Sequence, residues 1–214
     1  MNIRQMLVSS SKYSIKCPYS MNPRYITIHN TANDASANNE VSYMISNSSE
    51  TSFHYAVDDK EAVQGIPENR NAWHCGDGGS GTGNRYSIGI EICYSKSGGS
   101  KFVQAEKNAA YLVATLLKKY GWGIDRVKKH QDWSGKYCPH RTLDMGWTRF
   151  VNMIKAELDK LNKPTQPQQS SVSNIYRVIV NGTQIGAYGN VDNICNVVKE
   201  QVKKGVSKIE VIKK

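Results

Sequence analysis

The apolar positions of this chain change period as the sequence proceeds. Early on they come in short runs. Tyr25-Ile26-Thr27-Ile28 is β-branched and aromatic, follows Pro23 and yields to a polar turn beginning at His29-Asn30. This predicts a buried strand with His29 at its C-terminal end. Phe53-His54-Tyr55-Ala56-Val57, closed by Asp58-Asp59-Lys60, predicts a second strand. Ser87-Ile88-Gly89-Ile90-Glu91-Ile92-Cys93 predicts a central strand, apolar except for one carboxylate. Val41 to Ile45 reads as a short helix, and Trp73 to Gly83 is too glycine-rich for anything but a loop. From Ala105 to Tyr120 the period becomes helical, with Ala109, Leu112, Val113, Leu116 and Leu117 on one face. Lys118-Lys119 occupy the last turn and Gly121 is the stop. Another helix is predicted over 146–161.

Residues 163–173, rich in Pro, Gln and Ser, read as a linker between a domain over 1–162 and a small one over 174–214. In the latter, Ile175–Val180, the turn Asn181-Gly182 and Ile185–Tyr188 form a hairpin signal. A helix near 191–204 and a strand near 208–212 follow. The predicted fold class is α/β: a central mixed β-sheet flanked by helices, plus a small ββαβ C-terminal domain. So short a unit is close to the lower limit for independent folding. A homodimer formed through it would enlarge its core.

Composition narrows the function classes. With 28 Lys and Arg against 18 Asp and Glu, the 214-residue chain carries a formal charge of +10, which attracts polyanions. Nucleic acid and a teichoic-acid-rich cell wall would both respond to it. The basic residues form no long tract and no nucleic-acid-binding motif is present, so no nucleic-acid partner is expected. No apolar run reaches the roughly 18–20 residues of a membrane span. Met1 to Val8 is too short and interrupted for a signal peptide. The expectation is synthesis in a cytoplasm, with another agent needed to reach anything outside it. Five cysteines without repeated spacing argue against a disulfide framework.

The chemistry concentrates in two places: His29 at its strand end, and His130-Gln-Asp-Trp-Ser-Gly-Lys136-Tyr-Cys138-Pro-His140. A histidine and a cysteine joined across a Ser-Gly turn can point inward together. With His29 they would offer two imidazoles and a thiolate, three ligands of a tetrahedral zinc with one position open. Spacing alone leaves a structural role for His29 open.

Five stretches occur in order over about residues 24–145: Ile-Thr-Ile-His29-Asn-Thr-Ala, Ser-Phe53-His54-Tyr-Ala-Val-Asp-Asp, Ala-Trp73-His74-Cys-Gly, Asn84-Arg-Tyr-Ser87-Ile-Gly-Ile-Glu91, and the His130 to Cys138-Pro block. Together they resemble the zinc N-acetylmuramoyl-L-alanine amidases of the phage-lysozyme and peptidoglycan-recognition superfamily. The last block is most like the branch found in phage endolysins and autolysins of Gram-positive bacteria. The resemblance implies Zn2+ held by His29, His130 and Cys138, Glu91 as general base, and Lys136 as the partner of a developing oxyanion. The bland alternatives are a solvent-facing glutamate and a solvated lysine. Some relatives have a tyrosine where Phe53 stands, so the carboxylate is the better candidate for proton transfer.

His54, read as a buried, hydrogen-bonded histidine beside the site because three protein ligands already suffice, joins Trp73 and His74 as candidates for substrate contact. His140 follows Cys138-Pro139 too closely to join the ligands. Cys17, Cys75, Cys93 and Cys195 receive no role, although Cys93 shares the strand face of Glu91.

The implied reaction frees the stem peptide from the glycan of a Gram-positive wall, after release through a holin. The C-terminal domain would bind the wall, with wall teichoic acid as a candidate ligand. The rival reading is a module of the same fold that binds peptidoglycan without cutting it; Cys138 and Glu91 speak against it.

Overall fold

The apolar runs become the middle of a six-stranded sheet. The computed structural model describes residues 1–163, 175–189 and 191–214; the expected linker, beyond Lys163, lies outside the described residues. The chain divides into two compact units, Met1–Asn162 and Lys163–Lys214.

In the first unit the strands are β1 (Asn2–Gln5), β2 (Tyr25–Asn30), β3 (Tyr55–Val57), β4 (Glu61–Gln64), β5 (Ser87–Ile92) and β6 (Val127–Lys129). Their order is β1-β4-β3-β5-β2-β6. Only β3 and β4 pair antiparallel, across the Asp58-Asp59-Lys60 turn; all other neighbours are parallel. The sheet is therefore mixed and central, as the pattern predicts. The helices are α1 (Tyr13–Lys16), α2 (Ala37–Ser46), α3 (Thr82–Tyr86), α4 (Gly99–Tyr120), α5 (Gln131–Ser134), α6 (His140–Asp144) and α7 (Trp147–Asn162).

Strand alternation gives the sheet two unlike faces. Ile26, Ile28, Ile88, Ile90 and Ile92 are fully buried on one side, under Phe102, Ala105, Ala109, Leu112 and Leu116 of α4 and Phe150 and Ile154 of α7. Each such isoleucine contributes about 1.5–3 kcal/mol by leaving water. The other side carries Thr27, His29, Ser87, Gly89 and Glu91. Beyond these, α2 packs Val41 and Met44 near Ala56, Val63 and Cys93. Cys93 does share the Glu91 face but lies in this apolar cluster.

Differences from the sequence reading have local causes. The long helix begins at Gly99, more than a turn before Ala105, because Phe102 also enters the core. It stops at Gly121, whose φ of +66° suits a residue without a side chain. Strand β2 continues through His29 and Asn30 rather than turning there.

The second unit contains β7 (Tyr176–Val180), β8 (Thr183–Tyr188), α8 (Val191–Lys203) and β9 (Ile209–Lys213), a ββαβ order. Strand β7 is central and antiparallel to both neighbours. Val178 and Ile194 are its buried hydrophobic residues among those described. No described helix is long and apolar enough to cross a membrane.

Candidate metal centre

Strands β5, β2 and β6 run parallel and end at one edge of the sheet, the place where open α/β sheets bind ligands. The register sets His29 directly beside Glu91. His130 follows β6, and its N–H donates to the Ile28 carbonyl at 3.3 Å. Gly135, at φ +78°, then reverses the chain after α5 so that Cys138 returns to the same edge. The N–H of Gln131 donates to the Cys138 carbonyl at 3.0 Å, closing that loop. Trp133 pins it to the sheet by donating Nε1–H to Thr27 Oγ1 at 2.9 Å.

Residues far apart in sequence thus converge. Nδ1 of His29 lies 3.0 Å from Nδ1 of His130, and 3.9 Å from Sγ of Cys138. All three side chains are buried, and their ligand atoms lie within 4.8 Å of one another. This donor set, two imidazole nitrogens and a sulfur, fits a metal ion. Burial pushes His29 well below the ordinary histidine range, with His74 and His130 adding to the effect, so the ring is uncharged. Burial, then the Glu91 carboxylate, pushes the Cys138 thiol up to about 11; a cation would displace that proton. His29, His74 and Cys75 form a second close group. That group uses the other nitrogen of His29, and Cys75 does not line the cavity at the site.

The cavity is about 280 Å³ and is lined by the three candidate ligands together with Glu91, Lys136, Phe53 and Trp73. A cleft of about 380 Å³ shares Glu91, Lys136 and Phe53 and runs along α2 past Glu40 and Asn47. Another, of about 520 Å³, shares Trp73 and Gly76 and extends toward Gly79 and Glu50. One carboxylate oxygen of Glu91 is buried with no partner. Burial, helped by Glu40 and opposed by Lys136, pushes this carboxyl up to about 8. A carboxyl in that range takes up and gives up protons near neutral pH. Lys136 is exposed on the wall of both cavities.

The structure places the three candidate substrate contacts differently. His54 is fully buried; its Nδ1 accepts from the Gly89 N–H at 2.9 Å and its Nε2 donates to the Arg70 carbonyl at 2.9 Å. It ties β3 to β5 and has no nitrogen left for a substrate. His74 is 8% exposed, and both of its nitrogens face protein partners, His29 and Ser87. Trp73, like His74, lines the cavity wall, its indole N–H donated to the Ile15 carbonyl at 3.0 Å.

Three residues that the sequence reading passed over shape the site. Asn30 accepts on Oδ1 from the N–H groups of Arg141 and Thr142, and its backbone bonds Cys138. Asn84 accepts on Oδ1 from the N–H groups of His74 and Cys75, each at 2.8 Å, fixing the glycine-rich loop. Asp77 in turn accepts from the N–H groups of Gly83 and Asn84. The signal was an amide one residue past a motif histidine, and another opening the Asn84 to Glu91 motif.

Residues 19–141, more than half the chain and all of the converging side chains, match the family described as Amidase_2, N-acetylmuramoyl-L-alanine amidase. The chain belongs to this amidase family. It is 66% identical over 168 residues to the N-acetylmuramoyl-L-alanine amidase CwlA of Bacillus subtilis strain 168, covering 78% of this chain and 62% of CwlA. With XlyB of the same strain it shares 61% identity over 173 residues, covering 80% and 53%. The chain therefore spans less than two thirds of the length of these two amidases. Among solved structures, PlyL superposes with a TM-score of 0.72 at 59% identity, over 73% of this chain and 99% of PlyL. The PlyG catalytic domain gives 0.71 at 58% identity, over 77% and 100%.

Proposed function

We propose that this amidase-family chain is a zinc-dependent peptidoglycan hydrolase. It cleaves the amide between the lactyl group of N-acetylmuramic acid and L-alanine, freeing the stem peptide. The observation that carries this reading is the meeting of His29, His130 and Cys138 in one cavity with the unpartnered carboxyl of Glu91. His29 and His130 would hold the ion through Nδ1 and Cys138 through Sγ. Zinc, when bound, supplies Lewis acidity toward the scissile carbonyl and toward water.

The remaining work falls to the chain's own groups. Glu91 takes a proton from the attacking water and returns it to the leaving nitrogen of L-alanine. Lys136, on the cavity wall, offsets the negative charge that develops on the carbonyl oxygen. Phe53 keeps that part of the wall apolar, and Trp73 forms another part. A recognition module that binds without cutting has no need of a thiol ligand and a raised carboxyl in one cavity. The substrate places the site of action outside the membrane, in the wall.

The C-terminal unit is proposed to hold the enzyme on that wall. Over 174–214 it carries seven Lys and Arg against three Asp and Glu, which suits anionic teichoic acid. Its buried apolar residues are few, while Ile185, Val211 and Ile212 stay exposed. Pairing with a second copy would cover them, and a monomer in light scattering at high concentration would contradict that.

The activity is tested by incubating the full chain with purified Gram-positive walls. The reading requires new N-terminal L-alanine, lost on treatment with a chelator and restored by zinc. Absence of alanine termini from a zinc-loaded preparation overturns it.

A further inference from the structure

Each imidazole of the candidate centre has a second nitrogen, and both of these face one loop. Nε2 of His29 lies 2.8 Å from Nδ1 of His74. The His130 ring donates to the backbone of Cys75, the next residue. The far nitrogen of His74, Nε2, lies 3.3 Å from the Ser87 carbonyl.

That carbonyl gives the chain of bonds a direction. A carbonyl oxygen only accepts, so His74 carries its proton on Nε2. A neutral ring has one such proton, so Nδ1 of His74 accepts, and the hydrogen between the two rings belongs to Nε2 of His29. The Nδ1 of His29 is left with a lone pair, aimed at Nδ1 of His130 and Sγ of Cys138. Cys75 Sγ, 3.1 Å from the same His74 Nδ1, can only add a weak donor to that acceptor.

The packing holds His74 in this role. A Cβ on Gly89 would come within 2.7 Å of Nδ1 of His74, so a side chain there would push the ring off its partner. A glycine in the middle of a central strand is costly unless another group approaches closely. Here that group is His74. Its backbone N–H, in turn, is held by Asn84.

We propose that His74 is a positioning residue: through its bond to Nε2 it fixes His29 in the tautomer whose Nδ1 faces the metal. The inference rests on the metal-site reading above, yet part of its test needs no metal. Partners of this kind commonly change metal affinity by about 10- to 100-fold.

The test uses the full chain and three variants. His74→Asn places a carbonyl oxygen where Nδ1 stood and keeps the acceptor. His74→Phe and His74→Leu remove it but keep an apolar side chain, and one serves if the other fails to fold. In the metal-free proteins, ¹⁵N shifts of His29 report its tautomer. Wild type and His74→Asn are expected to show the Nε2–H form, and the apolar variants a mixture. Zinc affinity, measured by competition with a chelator, should fall about 10- to 100-fold in the apolar variants and stay near wild type in His74→Asn.

An unchanged His29 tautomer in the apolar variants, or an Asn variant as weak in zinc as they are, overturns the proposal. A wild type that takes up no zinc would sink the hydrolase reading instead, and the tautomer measurement would still decide the role of His74.

Discussion

On one face of strands β2 and β5 stand Ile26, Ile28, Ile88, Ile90 and Ile92; on the other stand Thr27, His29, Ser87, Gly89 and Glu91. The first set is held by shape and volume alone, under α4 and α7. In the second, particular neighbours decide: Thr27 bonds Ser87 at 2.7 Å, His29 faces His74, Gly89 leaves room for it, and Glu91 keeps a buried oxygen without a partner. The period of two along a strand thus separates stability from chemistry within six residues. Changes on the isoleucine face should cost stability and spare the site. Changes on the other face should tell on the site, whether or not they also cost stability.

The largest expected effect is on the polar face. Glu91→Gln should lower wall hydrolysis by about 100- to 10,000-fold, the range for loss of a general base. Zinc content should persist, and the thermal midpoint should hold or rise because an amide replaces a desolvated carboxyl. Next comes Ile90→Ala, one residue away. Denaturant titration should show a loss of about 2–5 kcal/mol, with zinc per folded molecule unchanged.

Gly89→Ala sharpens the comparison, because its new methyl group meets the His74 ring. It should cost about 1–3 kcal/mol and, unlike Ile90→Ala, weaken zinc binding as well. Smallest is Ile90→Val, at about 0.5–1.5 kcal/mol with full activity. Loss of zinc in either Ile90 variant would break the separation of the two faces.

The isoleucine face was legible because alternation and β-branching are written locally, and the same runs exposed Glu91 as the one carboxylate among them. His29, His130 and Cys138 could be nominated from their motifs, and their meeting point then depended on the β2–β5 and β2–β6 registers. Strands β1, β4 and β6 left little trace: segments such as Val127-Lys128-Lys129 are held by ladder hydrogen bonds, without a side-chain pattern of their own.

The contacts of His54 and His74 were not legible in the sequence, for one shared reason. A motif histidine does not show which atoms its nitrogens will meet. Here those atoms belong to Gly89, Arg70, Ser87 and His29, brought close only by sheet pairing and a loop that Asn84 shapes.

On the function proposed above, the polar edge of this sheet holds one metal ion through His29, His130 and Cys138. Metal analysis of the purified chain beside Cys138→Ala tests it most directly, with circular dichroism to confirm that both are folded. About one zinc per chain is expected in the wild type and little in the variant. A folded Cys138→Ala protein that keeps its full complement of zinc would contradict it.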